Sequence, residues 1–317
     1  MNKLTVCISG LIYPVTMMRF FWEALEKRDD CKVFSIGPFF GNFIPWPNDQ
    51  GTPGRFLPDK YTKVPDAPLP KQAATTYLDP QMIVDIVPKD IDLFLQVDAG
   101  WHFSARPPGK VVALVETDAH CPGWQQGHYK LPRSYSDYVF TMHSNFMNPG
   151  EFFLPYAAHD WVYPPQFDVE KEFDVAMIGV QYGNRVDLAR MLRAEGCSVR
   201  NDTGIIFDEY REVYHKSRCA LSLSSAKDTP VRVWEAFAMA VPLVADRTPD
   251  LERFFIEDVH YKGFDTLGEA VNQIRWVLQY PDEAQAMANN AYRVLIKNDH
   301  TFDNRVKTIL EICGLIE

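Results

Sequence analysis

The first part of the chain alternates short apolar runs with segments of helical periodicity. Residues 3–9 are mostly apolar and end at Gly10, which is typical of a central parallel strand. Apolar side chains then recur at helical spacing from Met17 to Leu25, and a second apolar run follows at 32–36. A strand, a helix and a strand in this order predict a βαβ unit with a right-handed crossover.

Residues 38–72 interrupt this alternation. They contain proline, glycine and aromatic residues without any period, and a loop of this length is typical of a functional segment. The alternation then resumes and predicts a helix at 80–87 and strands at 91–97, 110–115 and 138–141. Each of these three strands is followed by a cluster of polar residues, where ligands of open α/β sheets bind.

A proline-rich segment at 154–170 is interpreted as a linker, and a second alternation follows it. Asn184 is predicted to cap the first helix of this second half. The pattern predicts strands at 173–178, 197–200, 219–223 and 242–245, and helices at 185–194, 208–216, 231–240, 266–280, 282–296 and 302–312.

Two successive βα alternations predict the fold class. We expect an α/β protein with two Rossmann-like βαβ domains that face each other across a cleft. The N-terminal domain is predicted to span 1–160, including the long loop 38–72, and the C-terminal domain to span 161–300. Residues 301–317 are expected to form a helix that returns toward the N-terminal domain.

Composition and charge narrow the classes of function. The chain has 317 residues, of which 46% are hydrophobic and 23% charged, as in a globular protein of about two domains. Its net charge of −10 disfavours non-specific nucleic-acid binding. The six cysteines form no C-x-x-C pair, and no apolar run reaches the ~18 residues that span a bilayer. We therefore expect a cytoplasmic protein without a metal site or a membrane span.

Two turns in the second half have features of phosphate binding. Gly179 and Arg185 flank a strand-to-helix turn, where glycine backbone, helix N–H groups and a guanidinium could meet an anion. The run from Ser224 to Glu235 is a second such turn, and Arg232 and Glu235 lie early in its helix. Each turn alone is equally an ordinary βα turn with a surface arginine or a capping carboxylate. Together they supply a diphosphate cradle and a carboxylate for the ribose of a sugar nucleotide.

The sequence from Arg232 to Asp246, RVWEAFAMAVPLVAD, resembles the donor-binding signature of GT-B glycosyltransferases. It is similar in particular to the R-x-x-E-A-x-A-x-G-x-P pattern of the spore-maturation (CgeB-like) branch. Segments 97–100, 116–120, 175–185 and 300–305 resemble further parts of that branch, so the resemblance covers most of the chain from about residue 90.

This resemblance implies an enzyme that transfers a sugar from a nucleoside-diphosphate sugar, with uridine as the expected nucleoside, to an acceptor hydroxyl. It also implies that the N-terminal domain binds the acceptor and the C-terminal domain binds the donor. Glu235 matches the glutamate that holds the donor ribose. The other implied donor-site residues are Gly179, Arg185, Thr229, Pro230 and Arg232. Acceptor-side residues are Gly10 and Tyr13, and the candidate catalytic bases are His120, Asp118 and Asp98. No cofactor or divalent ion is expected to be obligatory, because arginine and helix N–H groups can stabilise the leaving diphosphate.

Two positions depart from the pattern of that branch. Lys227 stands where the related retaining enzymes have a second glutamate, and Ala240 stands where the pattern has glycine. The first departure leaves retention or inversion of the sugar open.

The acceptor and the oligomeric state also remain open. A saccharide, a protein side chain, a small molecule or a hydroxymethylated base of phage-type DNA could each accept the sugar. Residues 55–71 give DNA limited support, since basic and aromatic side chains are interleaved there. An acceptor lid with solvated charges explains the same residues, and the overall acidity of the chain favours it. A non-catalytic two-domain ligand-binding protein is the alternative of a different class.

Overall fold

The computed structural model describes residues 3–10, 16–37, 43–44, 55–56, 76–97, 101–121, 127–158, 164–181 and 183–317. The chain divides into two compact units. The first comprises residues 1–43, 56–155 and 302–317, and the second comprises residues 44–55 and 156–301. Most of the predicted loop 38–72, together with Tyr13 and Asp98, lies outside the described residues.

A six-stranded parallel sheet forms the centre of the first unit, in the order β10-β9-β8-β6-β1-β2. Two short strand pairs lie outside this sheet: β5 with β7, in the first unit, and β3 with β4, whose residues are divided between the two units. The strands are β1 (Leu4–Ser9), β2 (Cys31–Ile36), β3 (Phe43–Ile44), β4 (Arg55–Phe56), β5 (Thr76–Leu78), β6 (Leu93–Val97), β7 (Trp101–Phe103), β8 (Val111–Glu116), β9 (Tyr138–Thr141) and β10 (Phe152–Phe153). The helices are α1 (Met17–Glu26) and α2 (Lys130–Tyr135), with 3₁₀ turns at Pro80–Ile83 and Ser144–Phe146.

The interior strands of this sheet are almost entirely apolar. Every residue of β6 is buried, and five of the six residues of β8 are buried. Strands covered on both faces lose the alternation of polar and apolar residues, which explains why the sequence shows them as continuous apolar runs. On one face Phe94 packs edge-on against Phe103, with ring centroids 5.4 Å apart.

The second unit contains a five-stranded parallel sheet in the order β12-β11-β13-β14-β15. Its strands are β11 (Phe173–Ala176), β12 (Val199–Arg200), β13 (Ser217–Ser222), β14 (Leu243–Asp246) and β15 (Lys262–Phe264). Its helices are α3 (Asn184–Ala194), α4 (Phe207–His215), α5 (Val231–Ala238), α6 (Pro249–Phe254), α7 (Leu267–Gln279) and α8 (Pro281–Lys297). Apolar side chains of α3 and α7 pack on this sheet around Val175, Leu221 and Val244.

The last helix, α9 (Phe302–Ile312), belongs to the first unit. Phe302 stacks on Phe20 with ring centroids 5.1 Å apart and meets Phe21 edge-on at 5.3 Å. Lys27 pairs with Asp303 at 3.2 Å on the exposed side of the same contact. Helix α9 therefore packs on α1, at the opposite end of the chain.

The structure corrects several details of the sequence prediction. The helix expected at 80–87 is a 3₁₀ turn over Pro80–Ile83, and the expected cap of α3 is Gly183 rather than Asn184. Helices α2 and α6 and strands β10 and β15 were not predicted. Among the described residues no helix has the length and apolar character that crossing a membrane requires.

Candidate functional site

The two predicted phosphate-binding turns follow neighbouring parallel strands. The turn 177–183 follows β11, and the turn 223–230 follows β13. Because β11 and β13 are paired in the sheet, their carboxyl ends meet at the same edge. The sheet therefore brings the two turns, and the starts of α3 and α5, side by side in the second unit.

Arg185 joins these two turns. Its Nε and Nη2 donate to the carbonyl oxygen of Leu223 at 3.1 and 2.7 Å, and its Nη1 donates to that of Val180 at 3.0 Å. The side chain is buried, with 5% of its surface exposed. The sequence predicts that this guanidinium binds phosphate, whereas in the structure three of its donors hold backbone carbonyls of both turns.

Gly179 lies in contact with the guanidinium of Arg232. Its φ of 131° belongs to the region that favours glycine. A β-carbon at this position would collide with Arg232 Nη2 and lie 3.3 Å from Arg185 Nη1. Gly179, Arg185 and Arg232 are therefore brought together at the end of β11. Their predicted role in binding a donor stays a prediction.

Carboxylates within the protein shape the second turn. Asp228 Oδ1 accepts from the backbone N–H groups of Ser225 and Ala226 at 3.0 and 2.9 Å. The carboxylate of Asp246, at the end of β14, accepts from the N–H of Ser224 at 2.9 Å and also from its hydroxyl. Burial raises the pKa of Asp246. These bonds fix the backbone of the turn before any ligand is present.

Thr229 and Pro230 complete the second turn. The Thr229 hydroxyl is hydrogen-bonded to that of Thr248 at 2.5 Å, and both residues are buried. Pro230 is the N-cap of α5, with an extended backbone. The buried hydroxyl of Thr229 thus holds the turn to the start of α6.

Glu235 lies in the second turn of α5 and is 8% exposed. The Tyr210 hydroxyl, on α4, donates to Glu235 Oε2 at 2.6 Å. Tyr210 in turn packs against the fully buried Tyr214, with ring centroids 4.6 Å apart. Burial raises the pKa of Tyr214, Arg232 lowers it and Glu235 raises it. Arg232, Tyr214, Tyr210 and Glu235 therefore form one electrostatically connected group.

Lys227, at the departure from the glutamate pattern, is part of a surface ion-pair network. It adopts a positive φ of 59°, and its ammonium pairs with Asp265 at 3.1 Å and donates to the Arg247 carbonyl at 3.1 Å. Arg247 itself pairs with Asp265, Glu257 and Glu269. This network links the second turn to β15 and α7.

In the first unit, His120 and Asp118 follow β8, and His143 follows the adjacent strand β9. The rings of His120 and His143 meet edge-on with centroids 4.9 Å apart, and Phe146 lies beside both. The backbone N–H of Asp118 donates to the hydroxyl of the buried Tyr129 at 3.0 Å. The sequence points to His120 as a candidate base, and the sheet places His143 beside it.

Gly10 follows β1, and close packing explains why it is a glycine. A β-carbon there would lie 2.5 Å from the Val97 carbonyl oxygen and 3.0 Å from the β-carbon of Met18. This contact concerns packing, and the predicted acceptor-side role of Gly10 stays a prediction.

The structure shows an ion pair that the sequence did not predict, between Glu116 at the end of β8 and Arg133 on α2. Glu116 is 0% exposed, and Arg133 on α2 donates to both of its carboxylate oxygens at 2.6 and 2.5 Å. Arg133 also pairs with Glu151 at 3.2 Å. Burial raises the pKa of Glu116 to about 7, although Arg133 acts to lower it. An apolar strand that ends in glutamate is the only sequence signal for this pair.

A segment that covers most of the second unit and extends into α9 matches a known family. Residues 166–311 match the family model described as "Glycosyl transferase-like". A sequence comparison with curated proteins gives no match.

Solved structures share the fold at low sequence identity. Sucrose-phosphate synthase (tll1590) from Thermosynechococcus elongatus superposes with a TM-score of 0.63 and 10% identity, covering 98% of both chains. A glycosyltransferase from Rickettsia africae ESF-5 gives a TM-score of 0.62 and 9% identity, covering 99% of this chain and 98% of the other. The DNA-modifying enzyme β-glucosyltransferase, solved in the presence and absence of its substrate uridine diphosphoglucose, gives 0.57 and 10% identity over 98% and 100%.

These likenesses confirm the predicted fold class. The described chain contains two α/β units, each built on a parallel sheet. Residues 166–311 match a glycosyl transferase-like family, and the chain has the GT-B fold of its glycosyltransferase neighbours.

Proposed function

We propose that this protein is a glycosyltransferase that uses a nucleoside-diphosphate sugar as donor. The observation that supports it most is the contact of Gly179 with the Arg232 guanidinium, with Glu235 one turn after Arg232 on α5. These three residues lie in the segment 166–311 that matches the glycosyl transferase-like family. The Arg232-to-Asp246 pattern further leads us to propose the spore-maturation (CgeB-like) branch.

The donor diphosphate is proposed to bind at the starts of α3 and α5. Backbone N–H groups at both helix starts and the Arg232 guanidinium would offset its negative charge. That charge increases as the glycosidic bond to the sugar breaks, so the same groups stabilise the leaving diphosphate. Arg185 keeps the two turns in register through Leu223 and Val180.

Glu235 is proposed to accept hydrogen bonds from the ribose hydroxyls, with Thr229 and Pro230 forming the adjoining wall. We propose a uridine diphosphate sugar, because the structurally similar DNA-modifying β-glucosyltransferase takes uridine diphosphoglucose. Because Arg232 and the helix starts already oppose the developing charge, we also propose that no divalent ion is obligatory.

The acceptor is proposed to be a hydroxyl group. An inverting reaction needs a base near that hydroxyl, and His120, Asp118 and Asp98 are the candidates from the first unit. The ring of His143 beside His120 would restrict the orientation of that imidazole.

A second candidate acceptor is a hydroxymethylated base in DNA. The overall match to a DNA-modifying glucosyltransferase and the basic, aromatic composition of 55–71 favour it. DNA contacts would make transfer steeply dependent on salt concentration. Sugar transfer to hydroxymethylated and unmodified DNA at low and high salt therefore separates DNA from saccharide, protein and small-molecule acceptors.

The variant Glu235→Gln tests the donor site directly. We expect it to weaken uridine diphosphate binding about tenfold or more, since a neutral amide replaces the charged acceptor of the ribose hydrogen bonds. Isothermal titration calorimetry measures the affinity, and a thermal melt checks that the fold is retained.

Release of free nucleoside diphosphate from its sugar, with and without EDTA, then distinguishes an enzyme from a binding protein. If Glu235→Gln bound every common nucleoside diphosphate as the unchanged protein does, the donor site would be wrongly assigned. If EDTA abolished the release of nucleoside diphosphate, this would contradict only the proposal that no divalent ion is obligatory.

A further inference from the structure

We propose that Tyr210 is a positioning residue that orients the Glu235 carboxylate toward a ribose diol. This inference rests on the proposed function, because it assumes that Glu235 faces the ribose of a nucleoside diphosphate. It adds a residue on α4, outside both turns and outside the sequence pattern that resembles the donor signature.

The contact between the two side chains is short and buried. The Tyr210 hydroxyl donates to Glu235 Oε2 at 2.6 Å, and both residues are buried. A hydroxyl that donates to a carboxylate at this distance forms a charge-assisted hydrogen bond, stronger than one between neutral groups. A buried carboxylate needs such bonds, because removal from water is costly without them.

Packing keeps the Tyr210 ring in one position. The ring lies 4.6 Å from that of Tyr214, and Tyr214 is fully buried. Close-packed interiors restrict a side chain to one rotamer, so the Tyr210 hydroxyl reaches Glu235 from a fixed direction. Since the bond engages Oε2 from that direction, it also fixes the plane of the carboxylate.

The orientation of the Glu235 carboxylate determines how strongly the site prefers a ribose over a 2′-deoxyribose. A ribose offers two neighbouring hydroxyl donors, and a 2′-deoxyribose offers one. A carboxylate held in one plane can accept from both donors at once, whereas a rotating one loses that geometry. Tyr210 is therefore expected to contribute to the preference for uridine diphosphate over 2′-deoxyuridine diphosphate.

The variant Tyr210→Phe removes the hydroxyl and keeps the ring that packs on Tyr214. We expect uridine diphosphate to bind about tenfold more weakly and the ribose preference to fall by a similar factor. Tyr261→Phe is the matched control, because Tyr261 is likewise a buried tyrosine of this unit but has Glu257, Glu252, Arg247 and Asp258 as charged neighbours. It should change neither affinity.

Replacement of Tyr210 by 3-fluorotyrosine restores the hydroxyl and should restore both affinity and preference. Calorimetry with the two nucleotides provides all of these values, and Glu235→Gln is measured beside them. Wild-type affinities in Tyr210→Phe would overturn the positioning role, and so would an equal loss for both nucleotides or a failure of the fluorinated residue to rescue. If Glu235→Gln also bound normally, the donor site itself would be refuted rather than Tyr210 alone.

Discussion

At Gly179 the backbone conformation and the position of the Arg232 guanidinium depend on each other. Its φ of 131° is reached easily only by glycine, and the space where a β-carbon would lie is filled by the Arg232 guanidinium. A side chain at residue 179 would therefore strain the turn and displace Arg232 together.

We predict that Gly179→Ala weakens uridine diphosphate binding at least about tenfold, because Arg232 must move away from its place. Gly196→Ala, at the opposite end of α3, is the matched control. Gly196 also has a positive φ, 86°, but nothing lies within 4 Å of its would-be β-carbon. Both variants should lose about 1–3 kcal/mol of unfolding free energy from backbone strain, and only Gly179→Ala should lose affinity. Equal nucleotide affinities in calorimetry would argue against a role for Arg232 in phosphate binding.

Arg185 shows where residue-level prediction from sequence stops. The spacing of Gly179 and Arg185 correctly places the arginine at the strand end. Its main partner is the carbonyl of Leu223, which is 38 positions away in the sequence. Any backbone carbonyl can be such a partner, so the sequence contains no signal for it. The sequence therefore predicted that the proposed donor residues lie near each other, but it did not predict the hydrogen bonds that they form.

At the scale of elements, the ion pair between Glu116 and Arg133 connects the end of the central strand β8 to the short helix α2. Glu116 has no exposed surface, and Arg133 holds both of its oxygens. Breaking a buried pair by removing one partner leaves a charge without compensation, which is strongly destabilising.

We predict that Arg133→Met lowers the unfolding free energy by about 3 kcal/mol at pH 8. The loss should be smaller at pH 6, because Glu116, with a pKa of about 7, then takes up a proton. Arg106→Met is the control, since the Arg106–Asp137 pair has the same two-bond geometry but is 38% and 41% exposed. It should cost less than about 1 kcal/mol. Similar denaturation midpoints for the two variants would contradict the importance of burial.

Long apolar runs and long periodic segments were predicted well, because burial on both faces or on one helical face leaves a repeated pattern. Strand β9 and helix α9 have the predicted bounds. Short elements were missed because two or three residues, as in β10 and β15, contain no period. Helix α2 contains Pro132, and its six residues span fewer than two turns.

At the scale of the whole molecule, the alternation of strands and helices predicted the two parallel sheets, which the structure confirms. Strand order was beyond the sequence, since pairing depends on contacts between distant segments. The stability of the folded chain also depends on groups that no motif marks. His215 is one of them: its Nε2 donates to the Pro164 carbonyl at 3.1 Å, and burial lowers its pKa to about 4.

We predict that His215 makes the second unit less stable as the pH falls from about 6.5 toward 4. In this range the unfolded chain binds a proton that the folded chain does not, so unfolding becomes more favourable at lower pH. The variant His215→Gln keeps a donor for Pro164 and does not titrate. Urea denaturation at pH 7, 6 and 5 should show a weaker pH dependence in the variant. Glu116 acts in the opposite sense, so the comparison with the variant isolates His215; identical slopes would refute its contribution.

Helix α9 gives the first unit a discontinuous path along the chain. Phe302 fits against Phe20 and Phe21, about 280 residues earlier in synthesis. The ribosome therefore synthesises the residues of the second unit before it synthesises α9 of the first unit. During translation Phe20 and Phe21 on α1 therefore stay uncovered until α9 has been synthesised. A nascent chain stalled before residue 302 would present that surface to chaperones.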